Sequence, residues 1–195
     1  MIKLRELDVK DALFMLEWMH DPKIQQSFKR NMLDTTLEDA MQFCRVSKIP
    51  NKIRSGDNIH FAITDESDEY LGTISLNSID FDNRNAEYAI TTRKKVHGQG
   101  VATEATALIL QKAFEVYKLH SVYLNVFSDN IAAIRLYEKC GFTFEGEFRE
   151  HLIRGEKYMN LKWYSMLENE YRNIYLGGNL SKINNMSYRP ERMVA

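Results

Sequence analysis

Two glycines separated by one residue stand at the start of the clearest helical pattern in the chain. The loop and the first turn after it read His97-Gly98-Gln99-Gly100-Val101-Ala102-Thr103, and small or apolar residues then recur every three or four positions as far as Val116. Glycine lets backbone amides come close to a ligand, because no Cβ stands in the way. The unpaired N–H groups and the dipole of a helix start attract an anion. The loop therefore predicts a phosphate or pyrophosphate site.

Two better-known phosphate loops fit this segment poorly. A Walker loop needs Lys followed by Ser or Thr after its last glycine, whereas Val101-Ala102 follows here. A dinucleotide fingerprint wants a third small residue where this chain has Thr103, and an apolar strand where it has Arg93-Lys94-Lys95. On its own, then, the loop indicates an anion site or a tight turn before a helix.

A second segment, about thirty residues later, narrows the choice. It reads Asn130-Ile131-Ala132-Ala133-Ile134-Arg135-Leu136-Tyr137-Glu138-Lys139-Cys140-Gly141-Phe142. The two segments together resemble the GNAT N-acetyltransferases, which carry Q/R-x-x-G-x-G/A and then N-x-x-A-x-x-x-Y-x-x-x-G-F. The resemblance covers roughly residues 1–168, and Glu104-Ala105 is similar to the branch with ribosomal-protein-alanine and spermidine acetyltransferases. One residue departs from the pattern, since His97 stands where Gln or Arg is usual.

The resemblance implies that acetyl-CoA is the donor, bound in a V-shaped gap between two parallel strands, 85–91 and 122–127. Residues 97–103 would then hold its pyrophosphate, with the amides of 99–103 as donors, and Asn130 would contact the pantetheine arm or the adenosine side. Tyr137 lies at the family position of the general acid, which gives a proton to the departing thiolate. Glu87 is our candidate base, directly or through water, with a solvated strand residue as the alternative. The acceptor amine would attack directly in a ternary complex.

The acceptor is less well determined by the sequence. Its pocket should form from the first two helices and the loop 25–34, where Lys29 and Arg30 precede Asp34. The basic pair favours an anionic acceptor such as a nucleotide-linked amino sugar, if it is not simply solvated. Spermidine or another polyamine, and the N-terminus of a ribosomal protein, are the alternatives. A small molecule is favoured over a protein.

Two readings without catalysis stay open at this point. The chain could bind acyl-CoA as a sensor without turnover, or it could be a nucleotide-binding module unrelated to CoA. Asn130 and Tyr137 argue against the sensor, because a protein that only binds the donor has no need of an acid.

The elements that must position these residues alternate along the chain. The patterns predict helices over 8–20, 35–46, 103–118 and 130–139, and strands over 1–4, 59–64, 70–77, 85–91, 121–127, 142–148 and 158–166. With the family resemblance they predict an α/β (α+β) fold: a mixed, mostly antiparallel, twisted sheet of six or seven strands with helices on both faces. Residues 1–168 would form the acetyltransferase domain. Residues 169–195 would be a loosely attached tail or an extension used in contact between subunits.

Bulk composition limits the partners. Lys and Arg total 26 and Asp and Glu 27, so the net charge of −1 favours neither nucleic acid nor an anionic membrane. The two cysteines, Cys44 and Cys140, lack metal or disulfide spacing, and no metal is expected. No run reaches 18 apolar residues, and the charged start does not resemble a secretory signal. We therefore expect a cytoplasmic enzyme, with a homodimer possible.

Overall fold

The computed structural model describes residues 1–177. A sheet of seven strands runs through this part of the chain: β1 (Lys3–Glu6), β2 (Ile59–Thr64), β3 (Tyr70–Asp80), β4 (Asn85–Thr92), β5 (Ser121–Phe127), β6 (Thr143–Arg154) and β7 (Lys157–Leu167). Their order is β1-β2-β3-β4-β5-β7-β6, and every neighbouring pair is antiparallel except β4 with β5. The predicted fold class is confirmed, with the last two strands longer than expected.

Polar side chains cap the starts of the helical segments in the amino-terminal half. They are α1 (Ala12–Met19), which follows a 3₁₀ turn at Val9–Asp11, then α2 (Pro22–Gln25) and α3 (Leu37–Val46). Asp8 and Asp11 form a capping box at the first turn, and Thr36 and Asp39 form one at α3. Helices α1 and α3 pack on the same sheet face, against Ala62 and Tyr70.

The other face of the sheet carries α4 (Val101–Gln111), which continues as a π-helical stretch Lys112–Val116, and α5 (Ile131–Lys139). The contact is visible at Tyr88 of β4, whose hydroxyl bonds Thr106 of α4 at 2.7 Å and whose ring meets Tyr137 of α5 edge-on. Gly141 follows α5 with φ +91°, the left-handed geometry predicted for its end. Helices therefore cover both faces of the sheet.

The first part of the predicted tail packs on the body of the protein. It forms α6 (Glu168–Tyr171) and a π-helical stretch Arg172–Leu176. Tyr171 and Tyr175 are buried, their rings stack at 5.2 Å, and the Tyr175 hydroxyl donates to the carbonyl oxygen of Cys140 at 2.9 Å. Residues 169–177 are thus not loosely attached. The rest of the predicted tail, 178–195, lies outside the described residues, and the domain boundary at 168 stays a prediction.

Candidate active site

Strands β4 and β5 run parallel for only three residue pairs and then separate. Pairing joins 85–87 to 121–123, while β4 continues to Thr92 and β5 to Phe127. The outer edges of both strands remain bonded, β4 to β3 and β5 to β7. The inner edges beyond Glu87 and Tyr123 therefore border a gap in the sheet, at the two strands that the resemblance names.

The glycine loop connects β4 to α4 through backbone that only glycine adopts easily. After a 3₁₀ turn at Lys94–Val96, Gly98 has φ +76° and Gly100 has φ +82°. A Cβ built on either glycine would meet no atom within 4 Å. The requirement for glycine is therefore one of backbone conformation rather than of space. Gly100 is the N-cap of α4, so the loop ends where the helix dipole begins.

The start of α4 leaves backbone amides without an acceptor from the part of the protein that the structure describes. The first α4 bond of this region runs from the Glu104 amide to the Gly100 carbonyl oxygen at 3.0 Å. Within the described residues, the amides of 100–103 have no protein acceptor, as expected for the first turn of a helix. Gln99 differs from expectation, because its amide is directed to the Val96 carbonyl oxygen at 3.3 Å. The amides that remain for the predicted pyrophosphate contact are those of 100–103.

The polar side chains of the loop brace its shape. His97 Nε2 lies 3.3 Å from the carbonyl oxygen of Thr92, at the end of β4. Gln99 Nε2 donates to the carbonyl oxygen of Lys95 at 2.7 Å. His97, which stands where Gln or Arg is usual, therefore contacts the backbone at the start of the loop. Its contact with a donor stays a prediction.

Tyr137 lies beside the point where the sheet opens. Its ring centroid is 5.9 Å from that of Tyr88, the first β4 residue beyond the paired segment, and 6.1 Å from that of Phe142. The side chain is 8% exposed, and burial raises the pKa of the phenol above its ordinary value. The hydroxyl therefore keeps its proton at neutral pH, which is the state that a general acid needs.

Asn130 forms the start of the helix that carries Tyr137. Its Oδ1 accepts from the amide of Ala133 at 3.2 Å, so it is the N-cap of α5. Its Nδ2 donates to Ser27 Oγ at 3.1 Å, which ties α5 to the loop after α2. Asn130 thus has two structural partners, and the predicted contact with the donor would add to them.

Glu87 and Tyr137 approach the opening from opposite faces. Side chains alternate along a strand, and Tyr88 points toward α5, so Glu87 points toward the face of α1 and α3. Asn125 of β5 donates from Nδ2 to Glu87 Oε1 at 2.7 Å. This bond links Glu87, the last paired residue of β4, to Asn125, which lies two residues beyond the last paired residue of β5. A proton acceptor and a proton donor can therefore act from the two sides of one gap.

A pocket of about 540 Å³ borders β4 on the face of Glu87. Its floor is formed by β3 and by the β4 residues Ala89, Ile90 and Thr91, and its walls by α1, α3 and the loop before α3. Most wall residues are apolar or aromatic, among them Trp18, Phe28 and Phe43. The pocket thus borders the segment of β4 that lies beyond its pairing with β5.

The charges of this pocket only partly match the sequence expectation. Arg30 lines it, but Lys29 is exposed and does not. Two carboxylates line it as well, Asp34 and Asp39. Nothing in the sequence marks Asp39 as a binding residue, because an acidic side chain in the first turn of a helix is expected to cap that helix. Hydrogen bonds from Thr36 lower the pKa of Asp39, so it is ionised at neutral pH.

Neither cysteine is suited to carry an acetyl group. Cys44 and Cys140 are buried thiols, and burial raises the pKa of Cys44 to about 11 and that of Cys140 to about 12. A thiol with such a pKa has almost no thiolate at neutral pH. Within residues 1–177 no group of three His, Cys, Asp or Glu side chains could hold a metal ion. In the same residues no helix has the length and apolar character needed to cross a bilayer.

Residues 2–143 match the family model described as an acetyltransferase (GNAT) domain. The chain belongs to the GNAT acetyltransferases. It is an acetyl-CoA-dependent N-acetyltransferase, as the glycine loop and the segment 130–142 predicted, and the two readings without catalysis are dropped.

Several curated relatives are polyamine acetyltransferases. The chain is 29% identical to the spermidine N(1)-acetyltransferase of Vibrio cholerae over 146 residues, covering 74% of this chain and 84% of the relative. It is 27% identical to the Escherichia coli spermidine N(1)-acetyltransferase over 170 residues, covering 87% and 88%. A probable spermine N(1)-acetyltransferase of Bacillus subtilis subsp. natto is 33% identical over 126 residues, covering 63% and 74%.

A solved structure shares the fold. The crystal structure of spermidine N-acetyltransferase from Vibrio cholerae in complex with CoA and spermine superposes with a TM-score of 0.77 at 24% identity. The match covers 88% of this chain and 98% of that one.

Proposed function

We propose that this enzyme transfers the acetyl group of acetyl-CoA to a primary amine of a polyamine, spermidine or spermine in type. The observation that carries the proposal is the pocket beside Ala89–Thr91, in which two carboxylates and aromatic walls surround the space next to the gap. A polyamine alternates ammonium groups with methylene segments. Carboxylates pair with the ammonium groups, and apolar side chains pack against the methylene segments. Aromatic rings can contact both.

The charge balance of the pocket favours this acceptor over an anionic one. Asp34 and Asp39 contribute two negative charges and Arg30 one positive charge. The basic pair that favoured a nucleotide-linked amino sugar is reduced to one member, because Lys29 lies outside the pocket. The similarity to spermidine and spermine acetyltransferases supports the same choice.

The proposed mechanism is direct attack in a ternary complex. The amides of 100–103 and the start of the α4 dipole hold the pyrophosphate. Glu87, directly or through water, accepts a proton from the acceptor ammonium, and the free amine attacks the thioester carbonyl. The tetrahedral intermediate collapses and the C–S bond breaks, and Tyr137 gives its proton to the departing thiolate. The acceptor nitrogen loses its second proton as it becomes the amide, and this proton passes through solvent to restore the phenol, while Glu87 releases its own proton to solvent. Neither buried cysteine takes part, so no acetyl-enzyme forms.

An acetyl-CoA consumption screen tests the acceptor. We expect turnover with spermidine or spermine, and little with a nucleotide-linked amino sugar or a peptide that copies a ribosomal-protein N-terminus. A rate with either of the last two that exceeds the polyamine rate at equal concentration would overturn the proposal.

A variant that removes one negative charge tests the role of the pocket. Asp34→Asn should raise the KM for spermidine about fivefold, since an accessible ion pair contributes up to about 1 kcal/mol. It should leave the KM for acetyl-CoA unchanged. Asp82→Asn makes the same change of charge at an exposed position outside the pocket and is the matched control. Equal spermidine KM values in the two variants would speak against a role for Asp34.

A further inference from the structure

Arg93 is a nearly buried cation at the junction between β4 and the glycine loop. It directly follows Thr92, the last residue of β4, and precedes the 3₁₀ turn that begins at Lys94. The residue is 7% exposed, and its amide donates to the Leu71 carbonyl oxygen at 2.8 Å, which continues the pairing with β3. The position of this backbone therefore fixes where the loop leaves the sheet.

The guanidinium of Arg93 is held from three sides. Nε and Nη2 donate to the two carboxylate oxygens of Glu17, each at 2.8 Å. Nη1 donates to Glu69 Oε1 at 2.7 Å and to the carbonyl oxygen of Tyr70 at 3.0 Å. The Phe14 ring lies beneath it, 4.6 Å from Cζ to the centroid. Burial opposes the charge, but the bonds to Glu17 and Glu69 outweigh it and raise the pKa of Arg93.

These contacts connect helix α1, which lines the pocket proposed for the acceptor, to the glycine loop proposed for the donor. Glu17 belongs to α1, the helix that supplies Met15, Trp18 and Met19 to the acceptor pocket. Glu69 immediately precedes β3 and also accepts from Lys95 Nζ, inside the loop segment, at 2.5 Å. A single guanidinium thus joins the acceptor helix to the base of the donor loop.

The bidentate contact between Arg93 and Glu17 requires an arginine at this position. A guanidinium fork paired with both oxygens of one carboxylate fixes orientation as well as distance, whereas a lysine ammonium fixes distance alone. Neutralising Glu17 removes one partner of a poorly solvated charge. The guanidinium must then recover solvent or other partners, and the start of the loop must move with it.

We infer that Arg93 is a positioning residue for acetyl-CoA, which holds the donor loop in its binding geometry through Glu17 on the acceptor helix. The residue touches neither substrate in this scheme, because it is nearly buried and four of its five guanidinium N–H groups are directed to Glu17, Glu69 and Tyr70. The inference therefore predicts that Glu17, a residue on the acceptor helix, controls affinity for the donor. This effect on donor binding does not depend on which amine is the acceptor.

The decisive experiment is calorimetric titration of Glu17→Gln with CoA, in the absence of any acceptor. We expect Kd to rise about fivefold or more, and KM for acetyl-CoA to rise with it. With both substrates saturating, kcat should stay within about twofold, because groups that act only through binding leave the chemical step unchanged. Glu38→Gln removes the carboxylate of a more exposed ion pair, Glu38 with Arg45 at 2.7 Å on α3, and controls for the loss of one surface charge from a helix.

Arg93→Lys and Arg93→Gln separate positioning from simple stability. Lysine keeps the charge and loses the fork, so CoA affinity should lie between wild type and Arg93→Gln. A Kd for Glu17→Gln equal to that of wild type and of Glu38→Gln would overturn the inference. A fall in melting temperature and in kcat with no change in Kd would do the same. Because no acceptor is present in the titration, these results are independent of whether the acceptor is a polyamine.

Discussion

Replacing Tyr137 by phenylalanine removes one hydroxyl and leaves the ring in place. The ring packs edge-on against Tyr88 and Phe142, and these contacts do not involve the oxygen. Within the described residues no hydrogen bond to another protein group is recorded for this hydroxyl. The fold should therefore tolerate the change, and any loss of activity can be assigned to the missing proton donor.

The expected effect on turnover is large. Positioned proton transfer contributes about 10²- to 10⁴-fold in rate, which corresponds to about 3 to 5 kcal/mol of transition-state stabilisation. We expect kcat of Tyr137→Phe to fall by at least about 100-fold, measured as CoA thiol release with both substrates saturating. The Kd for acetyl-CoA should change by less than about threefold, because the hydroxyl is needed only when the thiolate leaves.

Tyr88→Phe is the matched control for this experiment. Tyr88 is equally buried in the same aromatic cluster, but its hydroxyl shares a 2.7 Å hydrogen bond with Thr106. Its loss should lower the free energy of unfolding by about 1 kcal/mol and leave kcat nearly unchanged. Wild-type turnover in Tyr137→Phe, or a parallel loss of turnover and acetyl-CoA affinity, would refute the assignment of Tyr137 as the acid.

Three further changes test other parts of the structure. Glu87→Gln should lower kcat/KM about 100-fold near pH 7; an unchanged kcat/KM excludes it as the base. Asn130→Ser keeps an N-cap oxygen, so the melting temperature should hold while the Kd for CoA rises about threefold; unaltered affinity would leave Asn130 with capping alone. Hydrogen bonds from Lys10 and Arg5 lower the pKa of Asp68 to about 2. Its stabilising effect is therefore complete above about pH 4 and is lost as the pH falls toward 2. Asp68→Asn should accordingly be less stable than wild type at pH 7, with a difference that shrinks below about pH 4; a constant difference down to pH 2 contradicts this.

Local signals predicted much of the fold, because their physical causes are local. Strands 59–64 and 121–127 have the predicted bounds. Asp8 and Thr36 cap helical turns within one residue of the predicted helix starts at 8 and 35, and Gly141 is left-handed directly after α5. In each case a cap or an alternation acts within a few residues. The pairing of β4 with β5 came instead from the family resemblance, since no local pattern indicates which strands lie side by side.

A pocket lies between the helices and the loop that the sequence named for the acceptor. The charges that line it and the contacts of Arg93 could not be predicted, because both depend on residues far apart in sequence. Asp39 enters the pocket from a helix start, and Glu17 reaches Arg93 from 76 positions away. From the sequence alone, charged residues such as these are expected to be exposed to solvent, because their partners lie elsewhere in the chain. The basic pair at 29–30 misled for the same reason, since a loop sequence does not show which of its side chains turn inward.

The separation of β4 from β5 has a consequence for the exchange of backbone hydrogens with solvent. Beyond Glu87 and Tyr123 each strand is bonded to a neighbour on one side only, although both lie in the middle of a seven-stranded sheet. The amides that point into the opening should exchange as quickly as those at the rim of a sheet, whereas their sequence neighbours, bonded outward, exchange slowly. Along these two strands, protection of the amides from hydrogen exchange should therefore alternate from residue to residue. A ligand that fills the gap should protect the inward-pointing amides and reduce this alternation.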